Sequence, residues 1–286
     1  MKTILIPTDF SANAAHAAAY GYNLAKQIKA NIILCNAVIV PAEVPQAGFV
    51  TWPMDEYETL IDESSSGLRL LKNRLEEADA SLTFKPSIAM MNKPGTVSET
   101  VSSITIAHGV DMVVIGQHSR NGLNTFMLGN HAQKLIDEAI KPVLLVPREA
   151  PVKQINKIAF ATDFKQPKQD LEYIYELISF ARLFNAEVLL THVYRDKSES
   201  ADFQVWVKRF IDELSNKANY PLIYYRLINN DKAENGLDWL CEQGNVDILA
   251  MVHRRHNFLN NLVPGSHTQR MADHISIPLL VFPSKS

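Results

Sequence analysis

The chain states one unit twice. MKTILIPTDF (1–10) returns as NKIAFATDF (156–164), VDMVVIG (110–116) as VDILAMV (246–252), and KPVLLVP (141–147) as IPLLVFP (277–283). The order is kept, so the chain reads as a tandem duplication, and its fold must be one that half the chain can close by itself. We set the two domains at 1–149 and 150–286. Asp9 and Asp163 are 154 residues apart and Ala30 and Ala186 are 156 apart, whereas the pairs Asp111/Asp247, Gly129/Gly265 and Pro142/Pro278 are each separated by 136. The second copy has therefore lost about 20 residues between its second and fourth strands. The loss falls opposite residues 39–55 (IVPAEVPQAGFVTWPMD), where the second copy has only RDKSES (195–200). Prolines and a glycine predict an irregular loop over 39–55. Its Phe49 and Trp52 are candidates to anchor a partner or to pack over their own domain.

Each copy alternates short apolar, β-branched runs with longer stretches of helical spacing. TILIP, NIILCNAV, SLTFKPSIAM (81–90), DMVVIG and PVLLVP read as strands in the first copy. KIAFAT, EVLLTHV, LIYYRLI, DILAMV and PLLVFP do so in the second. Several are apolar almost without interruption, as strands covered on both faces are. Helices are expected over 13–29, around 60–78 and over 96–109, with Ser11 as N-cap of the first. The implied architecture is α/β: two repeated doubly wound domains, each a five-stranded parallel sheet flanked by helices.

In such sheets ligands sit beyond the carboxyl ends of the strands, where the strand order reverses. In the first copy that directs attention to Thr8, Asp9, Ala37 and the segment GQHSRNGLNTFMLGN (116–130). Gly116 closes a strand, Gly122 permits a turn, and Gly129-Asn130 opens the next helix. Backbone amides at a helix start favour an anion, and glycine lets a phosphate approach the backbone. Asp9 has the chemistry to accept from a ribose hydroxyl, or simply to order its own turn. In the second copy HRRHNF (253–258) replaces the glycine-bearing stretch. It reads as a weak His-x-x-His metal site, as an anion site built on Arg254 and Arg255, or, the reading preferred here, as a solvated basic loop.

PTDFSANAAHAA (7–18), DMVVIGQHSRNGLNTFMLGN (111–130) and KPVLLVP together resemble the universal stress protein family. Nucleotide-binding members of that family carry Gly, two residues, Gly, nine residues, then Gly followed by Ser or Thr. Here those positions hold Gly116, Ser119 and Gly129-Asn130 in the first copy, and Val252, Arg255 and Gly265-Ser266 in the second. The resemblance implies an adenine-nucleotide alpha hydrolase-like fold and an internal pseudo-dimer joined through the last strand of each copy, with further pairing into a homodimer left open. It implies an adenine nucleotide, foremost ATP, in the first domain. Pro7, Thr8 and Asp9 would hold the adenosine, with Ala37 against the base. Gly116, Gln117, His118 and Ser119 would wrap the ribose and phosphates, and Gly129, Asn130 and His131 would donate to phosphate.

Chemistry beyond binding finds little support in the residues. There is no GxxxxGK[ST] loop, no GxSxG elbow, and no nucleophile paired with a base by spacing. No catalytic residue and no metal ligand is assigned, and magnesium is not indicated. Cys35 and Cys241 stand at non-equivalent positions and read as small core residues rather than a disulfide or zinc pair. The 28 basic and 31 acidic residues leave a formal charge of −3, which offers no field for nucleic acid. No run approaches a membrane span, no signal-peptide layout is present, and a cytoplasmic protein is expected. The leading functional reading is a regulatory, nucleotide-binding stress protein. The alternatives are a nucleotide-free interaction module and, behind it, a slow ATP-hydrolysing enzyme.

Overall fold

A computed structural model describes residues 2–39, 54–117, 130–164, 166–194, 201–253 and 275–284. The first half runs β1 (Thr3–Pro7), α1 (Ala12–Ile28), β2 (Asn31–Val38), α2 (Met54–Glu77), β3 (Ile88–Pro94), α3 (Val97–His108), β4 (Met112–Gly116), α4 (Asn130–Asp137) and β5 (Val143–Val146). The second runs β6 (Lys157–Ala161), α5 (Pro167–Ala181), β7 (Glu187–Tyr194), α6 (Ala201–Ala218), β8 (Ile223–Asn229), α7 (Ala233–Gln243), β9 (Ile248–His253) and β10 (Leu279–Pro283). The strands form one sheet in the order β3-β2-β1-β4-β5-β10-β9-β6-β7-β8. Within each half every pair is parallel. The joint alone is antiparallel, with Leu145 opposite Leu279, Leu144 opposite Leu280 and Val143 opposite Val281. The closing strands of the two repeats thus pair with each other, which is the pseudo-dimer joint expected from the resemblance.

The repeated sequence signatures each have a visible task. Asp111 Oδ2 accepts from Thr3 N at 2.9 Å, and Asp247 Oδ2 accepts from Asn156 N and Lys157 N at 2.8 and 2.9 Å. The aspartate of each Val-Asp pair therefore anchors the entry of the first strand beside it. The helices α1, α2, α5 and α6 cover one face over a core that runs through both halves, from Ile4 and Ile6 to Phe160 and Phe282. On the other face α3 and α4 close one core, and α7 closes another.

Side-chain size sets how closely the first helix of each half approaches the sheet. In α1 the buried residues are Ala14, Ala17, Ala18, Gly21 and Ala25 together with Tyr20, Tyr22 and Leu24, and the helix lies close along β4. A Cβ at Gly21 would fall 2.7 Å from Ile6 Cδ1. In α5 the buried face carries Tyr173, Ile174, Leu177 and Phe180, and contact with β9 is slight. Larger side chains need a wider gap, and the close approach is lost.

One strand differs from the sequence reading. The run 81–90 does not form the third strand as a whole: β3 begins at Ile88 and continues to Pro94. The segment before it is held by Asp79, which accepts from Ser81 N and Ser81 Oγ at 3.1 and 2.7 Å, and Pro86 lacks an N–H for a ladder. The long loop expected over 39–55 ends in helix, since α2 starts at Met54; residues 40–53, with Phe49 and Trp52, lie outside the described residues.

Candidate functional site

Both halves begin their crevice with the same tight turn after the first strand. In the first, Thr8 Oγ1 accepts from Phe10 N at 3.0 Å, and Phe10 takes a left-handed φ of 63°. In the second, Thr162 Oγ1 accepts from Phe164 N at 3.0 Å, and Phe164 has φ 52°. Asp9 Oδ1 accepts from Ser11 N at 3.0 Å, and Ser11 Oγ caps α1 by accepting from Ala14 N. The aspartate orders its own turn while its carboxylate stays at the exposed rim.

The strand order reverses around β1, between β2 and β4, and a cavity of about 240 Å³ opens there at the carboxyl ends of all three strands. Its walls include Pro7, Thr8, Asp9, Ala37 and Gly116, five of the residues singled out by sequence. Gln117 follows directly, its N–H donating to Val146 O and its carbonyl accepting from Asn13 Nδ2 at 3.1 Å, which fixes the end of β4. Asn130 and His131 open α4, whose side chains there lie outside the described residues; so do His118, Ser119 and Gly129.

Gly116 has a sterically enforced identity. A Cβ at this position would lie 2.7 Å from Asn13 O and 2.9 Å from Asn13 C in the first turn of α1. Those are backbone atoms of a capped helix and cannot swing aside. The glycine thus serves the close packing of α1 on β4 at the crevice, besides leaving backbone accessible.

Sequence reasoning missed several lining residues. Asn36 Nδ2 donates to Thr8 O at 2.7 Å and its Oδ1 accepts from Ser64 Oγ at 2.9 Å, so one amide ties β2, β1 and α2 together at the cavity wall. Its neighbour Ala37 was the available signal. Val97, Thr100 and Val101 enter from α3 and Leu135 from α4, and no strand-end rule points to them. Cys35 also lines the cavity, and burial pushes its thiol up to about 12, which keeps it a neutral wall group.

The second half keeps a cavity of about 220 Å³ at the equivalent place, with different walls. Aligning the two helices on their left-handed C-terminal residues, Lys29 and Asn185, sets Asp170 at the position of Ala14. Asp170 is 1% exposed, and its Oδ2 accepts from Thr162 Oγ1 at 2.8 Å. His192 replaces Asn36 and keeps its contact, with Nδ1 2.9 Å from Thr162 O; a carbonyl only accepts, so this nitrogen carries the proton. Val193 replaces Ala37 and Val252 replaces Gly116.

The profile of the universal stress protein family matches residues 1–147. The chain belongs to the universal stress protein family. A universal stress protein of Methanocaldococcus jannaschii is 27% identical over 162 residues, 52% of this chain and 96% of that protein. One from Thermus aquaticus is 28% identical over 151 residues, 51% of this chain and 98% of that protein. The crystal structure of a universal stress protein from Archaeoglobus fulgidus superposes with a TM-score of 0.72 at 15% identity and covers 98% of both chains, a likeness of fold over the whole length.

Of the solvated basic loop expected at 253–256, the described part departs from expectation. His253 ends β9, is 4% exposed, and sets Nε2 3.0 Å from Asp137 Oδ1 at the end of α4 in the other half. Residues 254–256 lie outside the described residues. Cys35 and Cys241 are buried and free, as core residues are. Among the described residues no helix is long and apolar enough to cross a membrane, and no group of His, Cys, Asp or Glu is arranged to hold a metal ion.

Proposed function

We propose that this universal stress protein is a cytoplasmic regulatory module that binds one adenine nucleotide, ATP foremost, in the crevice of its first domain (1–149), and that the second domain (150–286) does not bind it in the same way. The observation that carries this reading is the first cavity itself. It lies at the reversal of strand order, and Gly116 brings bare backbone to one end while Ala37 and an apolar wall stand at the other. A base with apolar faces suits the second end, and a phosphate suits the glycine end, where backbone can be approached closely.

The role is binding rather than turnover. Asp9 is the one carboxylate among the described cavity residues, and it is engaged by Ser11 N, an arrangement suited to holding a ribose and not to a base or a metal cage. In the second half Val252 and the buried carboxylate of Asp170 stand where glycine and alanine stood, and both oppose a phosphate. Calorimetric titration with ATP tests the reading: the expected result is saturable uptake that Gly129→Asp abolishes, by bulk and negative charge at the helix start. Unchanged affinity in that variant would sink it.

A further inference from the structure

The ten-stranded sheet ends in two edges, β3 and β8, which the duplication makes counterparts. Their registers against β2 and β7 set Ile88 at the place of Ile223 and Pro94 at the place of Asn229. An edge strand turns alternate backbone N–H and C=O groups outward, where another chain can pair with them. In β3 the donation from Gly95 N to Val38 O shows that odd-numbered residues face β2. Pro94 therefore stands in the outward row, where it has no N–H to give, and Lys93 precedes it. Proline and lysine are residues that blunt an edge.

The edge at β8 has neither. Val188 N donates to Leu222 O and Asn230 N to Tyr194 O, so even-numbered residues face β7 and the backbones of Ile223, Tyr225 and Leu227 point outward. Among the described residues no strand pairs with that row. Where the first half has Ala89, Met90 and Met91, this edge presents Tyr224, Tyr225 and Arg226, the tyrosines 45% and 41% exposed. The Arg226 guanidinium lies 5.6 Å from the ring centroid of Trp239, which is itself exposed on α7.

We infer that β8 pairs antiparallel with β8 of a second copy of this chain, about a twofold axis at Tyr225. Outward residues must face outward residues in such a pair, so the axis passes through a residue. At Arg226 it would oppose two guanidinium groups, and at Leu227 it would set Arg226 against the buried Ile228. At Tyr225 it sets Arg226 against Tyr224 of the second copy, Ile223 against Leu227, and Tyr225 against its equivalent. The Arg226–Tyr224 pair is then of the non-hydrogen-bonded kind, in which side chains come closest. Arg226 lies between Trp239 of its own chain and Tyr224 of the other, a setting that suits a guanidinium. The same patch serves both sides, as a twofold interface requires. The new joint would continue a sheet that already grows by antiparallel pairing of equivalent strands, β5 with β10.

The test is sedimentation of the full chain across a range of concentrations, for the wild type, Tyr225→Pro, Tyr224→Arg and the exchange Tyr224→Arg/Arg226→Tyr. The joint is small, so a dimer with a Kd on the order of micromolar is expected. Tyr225→Pro removes an outward N–H while sparing the bonds to β7, and should leave a monomer. Tyr224→Arg opposes two arginine pairs and should weaken the dimer about 10-fold or more. The exchange restores Arg–Tyr pairs and should recover much of the loss. A wild type that stays monomeric at about 100 μM overturns the inference. A dimer left intact by Tyr225→Pro and Tyr224→Arg overturns it by assigning association to another surface. A loss in Tyr224→Arg that the exchange does not recover overturns it as well, since the Arg226–Tyr224 pair defines the joint. If Tyr225→Pro fails to fold, the exposed Tyr224 variants decide alone.

Discussion

The two crevices share a backbone and differ in a handful of side chains. Both start from a Thr-Asp-Phe turn with a left-handed phenylalanine, and both have a polar side chain that reaches the threonine carbonyl, Asn36 in one and His192 in the other. Both enclose a cavity of similar size. The contrast lies at Gly116 against Val252, Ala14 against Asp170, Ala37 against Val193 and Thr100 against Gly236. The cavity is a property of the fold, since parallel strands whose order reverses leave one wherever they end. The walls of that cavity differ at a few positions, and two of the pairs, Gly116/Val252 and Ala14/Asp170, lie where the first helix of each half meets the crevice.

The comparison presupposes that both halves belong to one sheet, and its largest test is at the joint. Leu280 is fully buried in β10 opposite Leu144, and Leu280→Pro removes a ladder donor from an interior strand. A loss of about 3 kcal/mol or more in urea unfolding is expected. A near-neutral result would mean that the halves stand without their joint.

Next in size is the exchange of the glycine. Gly116→Val places the residue of the second half into the first, against the backbone of Asn13. About 2–3 kcal/mol of stability should be lost to overpacking, together with most of the affinity for ATP. The reciprocal Val252→Gly removes a partly buried side chain and should cost about 1 kcal/mol without creating nucleotide affinity, because Asp170 and Val193 remain. If Val252→Gly alone conferred ATP binding, the contrast would reduce to a single position. Chemical unfolding and titration of the two variants in parallel supply both readouts.

Much of this was legible in the sequence, and the reasons are physical. Strands β1, β2, β4 and β5 were readable because buried parallel strands leave near-continuous apolar runs, and the repeat doubled each signal. Pro7, Thr8, Asp9, Ala37 and Gly116 were found because a strand's carboxyl end is visible as the end of its run. The start of β3 was not, since an edge strand with mixed polarity carries no such run and Ser81–Asp79 bonding takes over the preceding residues. Thr100 was hidden because it reaches the cavity from the second turn of a helix, where spacing marks only a core face. The role of Gly116 in seating α1 was likewise invisible, because it depends on how close two elements come.

A smaller difference concerns acid. Where the first helix of each half ends, Lys26 of the first binds Asp79 Oδ1 at 2.6 Å, with Tyr22 and Ser81 also donating to that carboxylate. In the second half Arg182 instead reaches the carbonyls of Ala218 and Asn219. The hydrogen bond from Lys26, aided by Ser81, holds the Asp79 carboxyl well below the usual carboxylate range. A carboxylate depressed on folding contributes stability above its unfolded pKa of about 4, and loses it as pH falls towards the folded value. Asp79→Asn should therefore flatten the acid limb of the stability curve below about pH 4, whereas Arg182→Gln should leave its slope unchanged. Identical acid limbs in the wild type and Asp79→Asn would place the acid sensitivity elsewhere.

The central claim is that one crevice holds a nucleotide and its duplicate does not. The most direct measurement is to saturate the purified chain with ATP, remove the excess, denature the protein and quantify the nucleotide released, for the wild type and for Gly116→Val. One nucleotide per wild-type chain and almost none from Gly116→Val is the predicted result. Two per chain, none from the wild type, or an undiminished yield from Gly116→Val would contradict it.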